Sequence, residues 1–185
     1  LPELDTYFAM ARGYQAESGD VKALAMKKWF NTNYHYIVAE VDDDTNLQLV
    51  GEKPWKEYTE AKALGIVTKP IIIGPYTLLK HCRYTGGKKL TDFVDAAIKA
   101  YQDFIKKCEE FEIAWVQFDE PGLVQDMTAD DIALFHKLYD AILPCAKTSK
   151  ILLQTYFGDV RDIYADLIQM DFAGIGLDFI EGKQT

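Results

Sequence analysis

The sequence predicts an α/β protein with a parallel sheet, specifically part of a (βα)8 barrel of the TIM type with about five strands. Five short runs of β-branched, aliphatic and aromatic residues alternate with single helical segments along the chain. A strand, a helix and a second strand of the same sheet form a right-handed crossover, which makes the two strands parallel. Polar side chains follow several of these runs, and barrel enzymes place their sites just beyond the carboxyl ends of parallel strands.

The first half of the chain is predicted to hold two helices and two strands. Residues 20–30 are rich in helix formers and begin with an aspartate that can cap a helix. The aromatic and β-branched run Tyr34–Val41 predicts a strand. A second helix is predicted from Pro54, a residue suited to the first turn, to Gly65, a typical stop. The apolar run Lys69–Pro75 lies between helix breakers and predicts a strand buried on both faces.

The second half of the chain repeats this alternation. Apolar residues within 90–111 are spaced like one face of a helix. The predicted helices cover residues 90–111, 128–146 and 160–170, and the predicted strands cover residues 113–118, 151–157 and 172–180. Five strands are too few to close an eight-stranded barrel, so we expect further sequence to supply the rest.

An open, doubly wound sheet also fits this alternation. A nucleotide-binding sheet carries a glycine-rich turn between a strand and a helix, and neither G-x-G-x-x-G nor G-x-x-x-x-G-K-[ST] is present. The run Gly86–Lys89 has no strand immediately before it, which indicates a surface turn. The polar residues at the predicted strand ends favour the barrel; they are Asn33, Thr77, Asp119, Glu120, Gln154, Tyr156 and Asp178.

Charge and hydropathy argue against several classes of partner. The 185 residues carry 20 Lys plus Arg against 29 Asp plus Glu, a formal net charge of −9. A protein that binds nucleic acid or an acidic membrane needs clustered cations. No apolar run approaches the ~20 residues of a membrane span. We therefore expect a protein that binds neither nucleic acid nor membrane.

The first residues and the cysteines predict a location in the cytoplasm. Leu1–Asp5 has neither the basic nor the apolar region of a secretory signal, and it lacks an initiator Met, as in a piece cut from a longer chain. Cys82, Cys108 and Cys145 are odd in number and show no C-x-x-C spacing. This pattern is typical of reduced thiols in a cytosolic protein.

Four segments of the chain together resemble one family. They are Met26–Tyr36, Lys69–Thr77, Trp115–Pro121 and Leu152–Gly158. The stretch K-W-F-N-T-N-Y-H-Y within the first segment is long and specific, whereas the D-E-P element alone is weak. In this order the segments resemble the N-terminal half of the cobalamin-independent methionine synthases.

The resemblance implies a fold, an activity and a cofactor. The family has two βα barrels and transfers the methyl group of 5-methyltetrahydropteroyltriglutamate to homocysteine without cobalamin. Zinc in the C-terminal barrel activates the homocysteine thiolate. By resemblance, residues 1–185 are a single segment of the N-terminal barrel domain, and the catalytic C-terminal barrel is absent. The chain would then lack catalytic residues, zinc ligands and the homocysteine site, and would be inactive alone.

The resemblance also implies a folate-binding role for Lys28, and the chemistry of a nearby amide adds a second candidate. Lys28 matches the family's lysine that contacts the polyglutamate tail, and a compact cation suits a tail with several carboxylates. Asn33 is the second candidate because an amide offers both a donor and an acceptor. The alternative for Lys28 is a cation at the end of a helix, and the alternative for Asn33 is a cap within a loop. His35 could pair with a pterin or a carboxylate, but a buried core imidazole is the favoured interpretation, and contact of His35 with a ligand stays open.

Adjacent acidic residues, Asp119 and Glu120, follow the third predicted strand. Neighbouring side chains on a strand point to opposite faces, which argues against a paired acid and base acting on one substrate. We therefore expect a structural role at the barrel mouth, and contact of Asp119 with a ligand stays open.

Two other hypotheses remain for the chain. It could be a purely structural half-barrel that binds no ligand, or part of another barrel enzyme of the same superfamily, such as one like uroporphyrinogen decarboxylase. The motif from Lys28 to Tyr36 argues against the second.

Overall fold

The computed structural model describes residues 3–17, 19–183 and 185. The chain divides into two compact units. The first takes the residues up to Thr45 together with His81–Lys89, and the second takes Asn46–Lys80 together with Leu90–Thr185. No helix among the described residues is both long and apolar enough to cross a membrane.

The helices and strands alternate through most of the second unit and are short in the first. The helices are α1 (Glu3–Arg12), α2 (Lys53–Ala63), α3 (Pro75–His81), α4 (Val94–Glu110), α5 (Ala129–Ile142) and α6 (Tyr164–Leu167). The strands are β1 (Tyr14–Ala16), β2 (Gly19–Val21), β3 (Met26–Lys28), β4 (His35–Ile37), β5 (Glu40–Val41), β6 (Ile71–Ile73), β7 (Arg83–Tyr84), β8 (Trp115–Asp119), β9 (Lys150–Gln154) and β10 (Gly174–Gly176). Short 3-10 turns cover Leu90–Phe93, Pro121–Val124 and Leu143–Cys145.

The first unit is built from small sheets. Strands β1 and β2 form one antiparallel hairpin, β3 and β4 form another, and β5 pairs with β7 in parallel. The predicted helix over residues 20–30 is therefore wrong. Helix propensity is a weak prior, and pairing across a hairpin overrides it. The predicted strand Tyr34–Val41 is present but divided between β4 and β5.

The second unit contains a four-stranded parallel sheet in the order β10–β9–β8–β6. Helices α4 and α5 cover one face, where rings from both helices contact Phe118 of β8. Val116, Phe118, Ile151 and Leu153 alternate along β8 and β9 as buried residues of that face. The parallel α/β architecture is confirmed, with four strands in the described sheet instead of five.

Three predicted elements of the second unit differ from the structure. The strand predicted over residues 69–75 is confined to β6 and is not buried on both faces, because β6 lies at the edge of the described sheet and Ile71 is 55% exposed. The helix predicted over residues 160–170 shortens to α6, and the last strand shortens to β10. Helix α3, which begins shortly after β6, was not predicted from the sequence.

Candidate functional site

Lys28 and His35 face each other across the hairpin of β3 and β4. Lys28 pairs in register with His35, as Lys27 does with Tyr36. Both Lys28 and His35 are exposed. Directly opposed side chains of antiparallel strands lie on the same face. The hairpin therefore presents an ammonium group and an imidazole side by side to solvent.

The loop that joins these strands is held by its own hydrogen bonds. Trp29 donates its backbone N–H to the carbonyl of Tyr34 at 2.7 Å, and the Thr32 hydroxyl donates to the carbonyl of Trp29 at 2.6 Å. Phe30 has a φ of 51°, a left-handed conformation that closes the turn. The rings of Trp29 and Tyr36 pack edge to face with centroids 5.2 Å apart. These contacts fix the ends of both strands.

The structure revises two expectations about this hairpin. Lys28 lies on a strand, so its alternative role as a helix-terminal cation is wrong. His35 is exposed and is not a core imidazole, because β4 is buried only in part. Asn33 lies in the exposed loop, where the Thr32 hydroxyl donates to the carbonyl of Trp29 and accepts the N–H of Tyr34. Contact of Lys28 or Asn33 with a ligand stays a prediction.

A second polar cluster lies at the carboxyl ends of strands in the parallel sheet. Gln117 donates its amide to Asp119 Oδ1 at 2.7 Å, and the Tyr156 hydroxyl donates to Asp119 Oδ2 at 3.1 Å. Strand pairing places Asp119 in register with Gln154, which lies beside Gly176. A Cβ at position 176 would lie 2.1 Å from Gln154 Oε1, so a larger residue there would displace the end of the Gln154 side chain. This cluster occupies the sheet face opposite α4 and α5.

Glu120 points to the other face and is fully buried. It accepts the backbone N–H of Tyr76 at 3.0 Å and that of Thr77 at 2.7 Å, both in the first turn of α3. The Tyr139 hydroxyl of α5 also donates to it, at 2.6 Å. One carboxylate therefore joins β8, α3 and α5. Gly74 is needed beside it, since a Cβ there would lie 2.1 Å from Glu120 Oε1.

The buried environment changes the titration of this cluster. Burial raises the pKa of Glu120 to about 7, and the hydrogen bonds from Thr77, Tyr139 and Tyr76 oppose that rise. Burial and the neighbouring Glu120 also raise the pKa of Tyr139 well above its ordinary value, so its hydroxyl remains a donor. The prediction that the side chains of Asp119 and Glu120 point to opposite faces of the sheet is confirmed. Glu120 has a structural role, and the half-exposed Asp119 faces a different set of partners.

Two other strand-end residues have structural partners. The Thr77 hydroxyl accepts the N–H of Gly122 at 3.0 Å within the core. Asp178 accepts the backbone N–H groups of Phe157, Ile180 and Glu181. Gln117, a buried polar residue, was not among the predicted site residues, although its place in the alternation of W-V-Q-F-D assigns it to the same face as Asp119.

The cysteines offer no metal centre in the part of the chain that the structure covers. Cys82, Cys108 and Cys145 are free thiols. Within the described ranges, no group of three or more His, Cys, Asp or Glu side chains could hold a metal ion. These residues therefore do not fit a zinc site.

The fold and the strand-end clusters define the class: an α/β protein with a parallel sheet and polar groups at its carboxyl edge. The chain belongs to the family described as the cobalamin-independent synthase, N-terminal domain, whose model matches residues 1–185.

Curated relatives support this assignment along the whole chain. Proteins of Streptococcus thermophilus and Streptococcus sanguinis are 54% and 53% identical over 185 residues. Both are named 5-methyltetrahydropteroyltriglutamate–homocysteine methyltransferase. The match covers 100% of this chain and 25% of each relative, so the chain spans about a quarter of their length.

A solved structure from Listeria monocytogenes shares the fold. It is provisionally named a vitamin B12-independent methionine synthase, and its TM-score is 0.54 at 17% sequence identity. The match covers 72% of this chain and 46% of that one. At this identity the likeness concerns the fold alone.

Proposed function

We propose that this chain is part of an enzyme that transfers a methyl group from 5-methyltetrahydropteroyltriglutamate to homocysteine, forming methionine. The observation that carries the proposal is the family match over all 185 residues, together with relatives of that name at 54% identity. The family is independent of cobalamin. The proposed enzyme works in the cytoplasm, and we assign its zinc to the C-terminal barrel that the family resemblance implies.

The proposed share of this chain is to bind the folate tail through Lys28 and Asn33. The tail carries several carboxylates, and Lys28 presents an exposed ammonium on a hairpin whose loop is fixed by hydrogen bonds. A local cation matters in a chain with a net charge of −9, because the remaining surface repels such a ligand.

The proposed architecture is a barrel of which these residues form a part. The parallel order β10–β9–β8–β6 and the helices on one face support it. Polar side chains on the opposite face, such as Asp119 and Gln117, would then point into the barrel interior.

Methyl transfer is tested with the longer protein that carries this chain, in buffer free of cobalamin. Methionine is expected to form from the triglutamyl methylfolate and homocysteine, and the isolated 185-residue chain is expected to form none. An inactive longer protein would contradict the proposed enzyme. Methionine formation by the isolated chain would contradict the proposal that the catalytic residues lie outside these 185 residues.

The role of Lys28 is tested by comparing Lys28→Ala with Lys27→Ala in the longer protein. Lys27 is also exposed but pairs with Tyr36, so it lies on the opposite face of the hairpin. Loss of an exposed ion pair is expected to raise the KM for the triglutamyl folate by about two- to fivefold, with kcat nearly unchanged. Lys27→Ala is expected to leave KM unchanged.

The effect of Lys28→Ala should shrink with monoglutamyl folate and at high salt, which screens the attraction. The affinity for homocysteine should not change. An equal loss for mono- and triglutamyl substrates would show that Lys28 does not bind the tail, and the chain would then have a structural role.

A further inference from the structure

We propose that the carboxyl edge of the parallel sheet holds a binding site for a small molecule that carries a primary ammonium group on an alkyl chain. The Asp119 carboxylate binds the ammonium group. This inference goes beyond methyl transfer and folate-tail binding. It rests on the proposed barrel architecture, because barrel closure would enclose the sheet face on which Asp119 lies.

The last residues of the four parallel strands form one row across the sheet. Ile73, Asp119, Gln154 and Gly176 each end their strand, and strand pairing places them in register. Residues in register on parallel strands share a face, and neighbouring strands are about 4.8 Å apart. In a barrel this row would lie at the mouth, above the filled layers, and the mouth is where barrel proteins bind their ligands.

The Asp119 carboxylate is held in place by neutral donors. It accepts the Gln117 amide at Oδ1 and the Tyr156 hydroxyl at Oδ2, at 2.7 and 3.1 Å. Among the described residues, no Lys, Arg or His forms an ion pair with Asp119. Each carboxylate oxygen can accept a further hydrogen bond. A half-buried carboxylate without a cation favours a positively charged ligand that donates hydrogen bonds.

Two glutamine side chains add acceptors to this face. Gln117 donates its amide nitrogen to Asp119, and Gln154 donates its amide nitrogen to the carbonyl of Thr155 at 2.8 Å. Both partners are acceptors, which fixes the orientation of each amide. Neither amide oxygen accepts a hydrogen bond from a described residue, although Gln117 is only 8% exposed. The three N–H donors of a primary ammonium group suit a carboxylate with amide oxygens beside it.

Apolar side chains beside the polar row favour an organic ammonium group over an inorganic cation. Ile73 of β6 lies in register with Asp119. One layer below, Gln117 lies between Ile71 of β6 and Leu152 of β9. An alkyl chain can pack against the two isoleucines while its ammonium group contacts Asp119, and a bare metal ion would gain nothing from this apolar surface.

The first test measures the binding of n-butylammonium chloride to the longer protein by isothermal titration calorimetry at neutral pH and constant ionic strength. The matched probes are 1-butanol, which has the same alkyl chain without the charge, and potassium chloride. Butylammonium is expected to bind at least about tenfold more tightly than either probe, because its hydrogen bonds to Asp119 are charge-assisted. Equal affinity for butylammonium and butanol, or tighter binding of potassium, would overturn the ammonium site.

The second test assigns the binding to Asp119. Asp119→Asn is expected to weaken butylammonium binding about tenfold and to leave butanol binding unchanged, since only the charge is removed. The matched control is Asp171→Asn, which removes the same charge at an exposed residue just before β10 and should leave both affinities unchanged. Equal losses in the two variants would overturn the role of Asp119.

A third variant tests the site even if Asp119→Asn does not fold. Gln154→Lys places a tethered ammonium group in register with Asp119, where it would compete with the ligand. Butylammonium binding is expected to be lost and the thermal stability to be kept. Unchanged butylammonium binding in Gln154→Lys would overturn the proposed position of the site.

The outcomes separate this inference from the proposed function. Methyl transfer by a protein that does not prefer butylammonium to butanol would overturn the ammonium site and leave the enzyme intact. Butylammonium binding that depends on Asp119 in a protein without methyl transfer would overturn the enzyme and leave the ammonium site intact.

Discussion

Two neighbouring carboxylates show how position on a strand decides the role of a residue. Glu120 lies on the helix-covered face, where it is fully buried and accepts bonds from α3 and α5. Asp119 lies on the other face, half-exposed, and accepts bonds from Gln117 and Tyr156. The same chemical group therefore serves the core at one position and a polar surface at the next.

Glu120→Gln is expected to destabilise the chain by about 1–3 kcal/mol at pH 5.5, because both oxygens of the protonated carboxyl still accept hydrogen bonds, whereas the amide nitrogen accepts none and leaves a donor unsatisfied. Urea unfolding measures the free energy. The matched control is Asp119→Asn. Because Asp119 is half-exposed, water can replace the hydrogen bonds that are lost, so this substitution should lower the free energy of unfolding by less than half as much. An equal cost for the two variants would contradict the special role of Glu120.

The stability advantage of the wild type over Glu120→Gln is expected to fall as pH rises from about 4.5 to 7. Burial raises the pKa of Glu120 to about 7, so the folded state keeps a proton that the unfolded state loses near pH 4.3. The change amounts to about 3 kcal/mol. Unfolding curves across this range measure it. An advantage that grows with pH would show that the surrounding donors hold Glu120 ionised.

At the scale of elements, side-chain carboxylates organise the ends of helices and strands. Thr128 and Asp131 form a reciprocal capping box at the start of α5, and Lys80 of α3 contacts Asp131 at 2.6 Å. Glu109, near the end of α4, accepts the N–H groups of Thr148 and Ser149 just before β9. These bonds connect successive elements of the alternation.

Glu109→Gln is expected to lower the free energy of unfolding at pH 7 by about 1–2 kcal/mol, because hydrogen bonds to a charged acceptor are lost. Burial alone would raise the pKa of Glu109, but the bonds from Thr148, Ser149 and Lys147 outweigh it and lower the pKa to about 2. This stabilisation is therefore present above about pH 4.3 and is lost as pH falls toward 2.

The matched control is Glu110→Gln, a substitution at the exposed neighbour of Glu109. It should change stability by less than about 0.5 kcal/mol. Thermal unfolding at pH 7 and pH 3 compares the two variants. If Glu109→Gln lowered the stability equally at pH 7 and at pH 3, the charge-dependent role of Glu109 would be contradicted.

At the scale of the whole molecule, the described parallel sheet has two open edges. On β6, Gly74 donates to the carbonyl of Asp119, and Pro70 accepts from Gln117. Backbone groups of a parallel strand alternate between its two neighbours, so Ile72 faces β8 while the N–H groups of Ile71 and Ile73 face the open edge. The proposed barrel would cover this edge with another strand.

Hydrogen exchange is expected to distinguish these amides. In the isolated chain, the N–H groups of Ile71 and Ile73 should exchange much faster than that of Ile72. In the longer protein all three should be protected, because barrel closure pairs the edge. Nuclear magnetic resonance or mass spectrometry at single-residue resolution measures the rates. Fast exchange of Ile71 and Ile73 in the longer protein would contradict a closed barrel.

Regular sequence patterns predicted the longer helices correctly. The amphipathic spacing over residues 90–111 predicted α4, and the capping residue Thr128 marked the start of α5. The predicted helix over residues 20–30 failed because its composition is compatible with two states, and cross-strand pairing of Lys27 and Lys28 with the aromatic β4 stabilises the hairpin instead.

In the candidate site too, local patterns predicted some features and long-range contacts decided others. The motif around Lys28 identified the hairpin residues by family resemblance, and the alternation of β8 predicted that Asp119 and Glu120 diverge. The sequence could not show that Lys28 opposes His35, since the pairing depends on the register of two strands separated by a loop. Nor could it show that Glu120 meets α3 and α5, because those partners lie 43 and 19 residues away along the chain.

The sequence by itself determined the α/β class, most of the second unit's helices and strands, and the family of the chain. These follow from local periodicity, capping residues and contiguous motifs, which are encoded within short stretches. Only the tertiary structure decided that β3 and β4 form a hairpin, that His35 is exposed beside Lys28, and that Glu120 is a buried acceptor for three donors. Those features depend on contacts between distant residues, whose free energy outweighs local propensity.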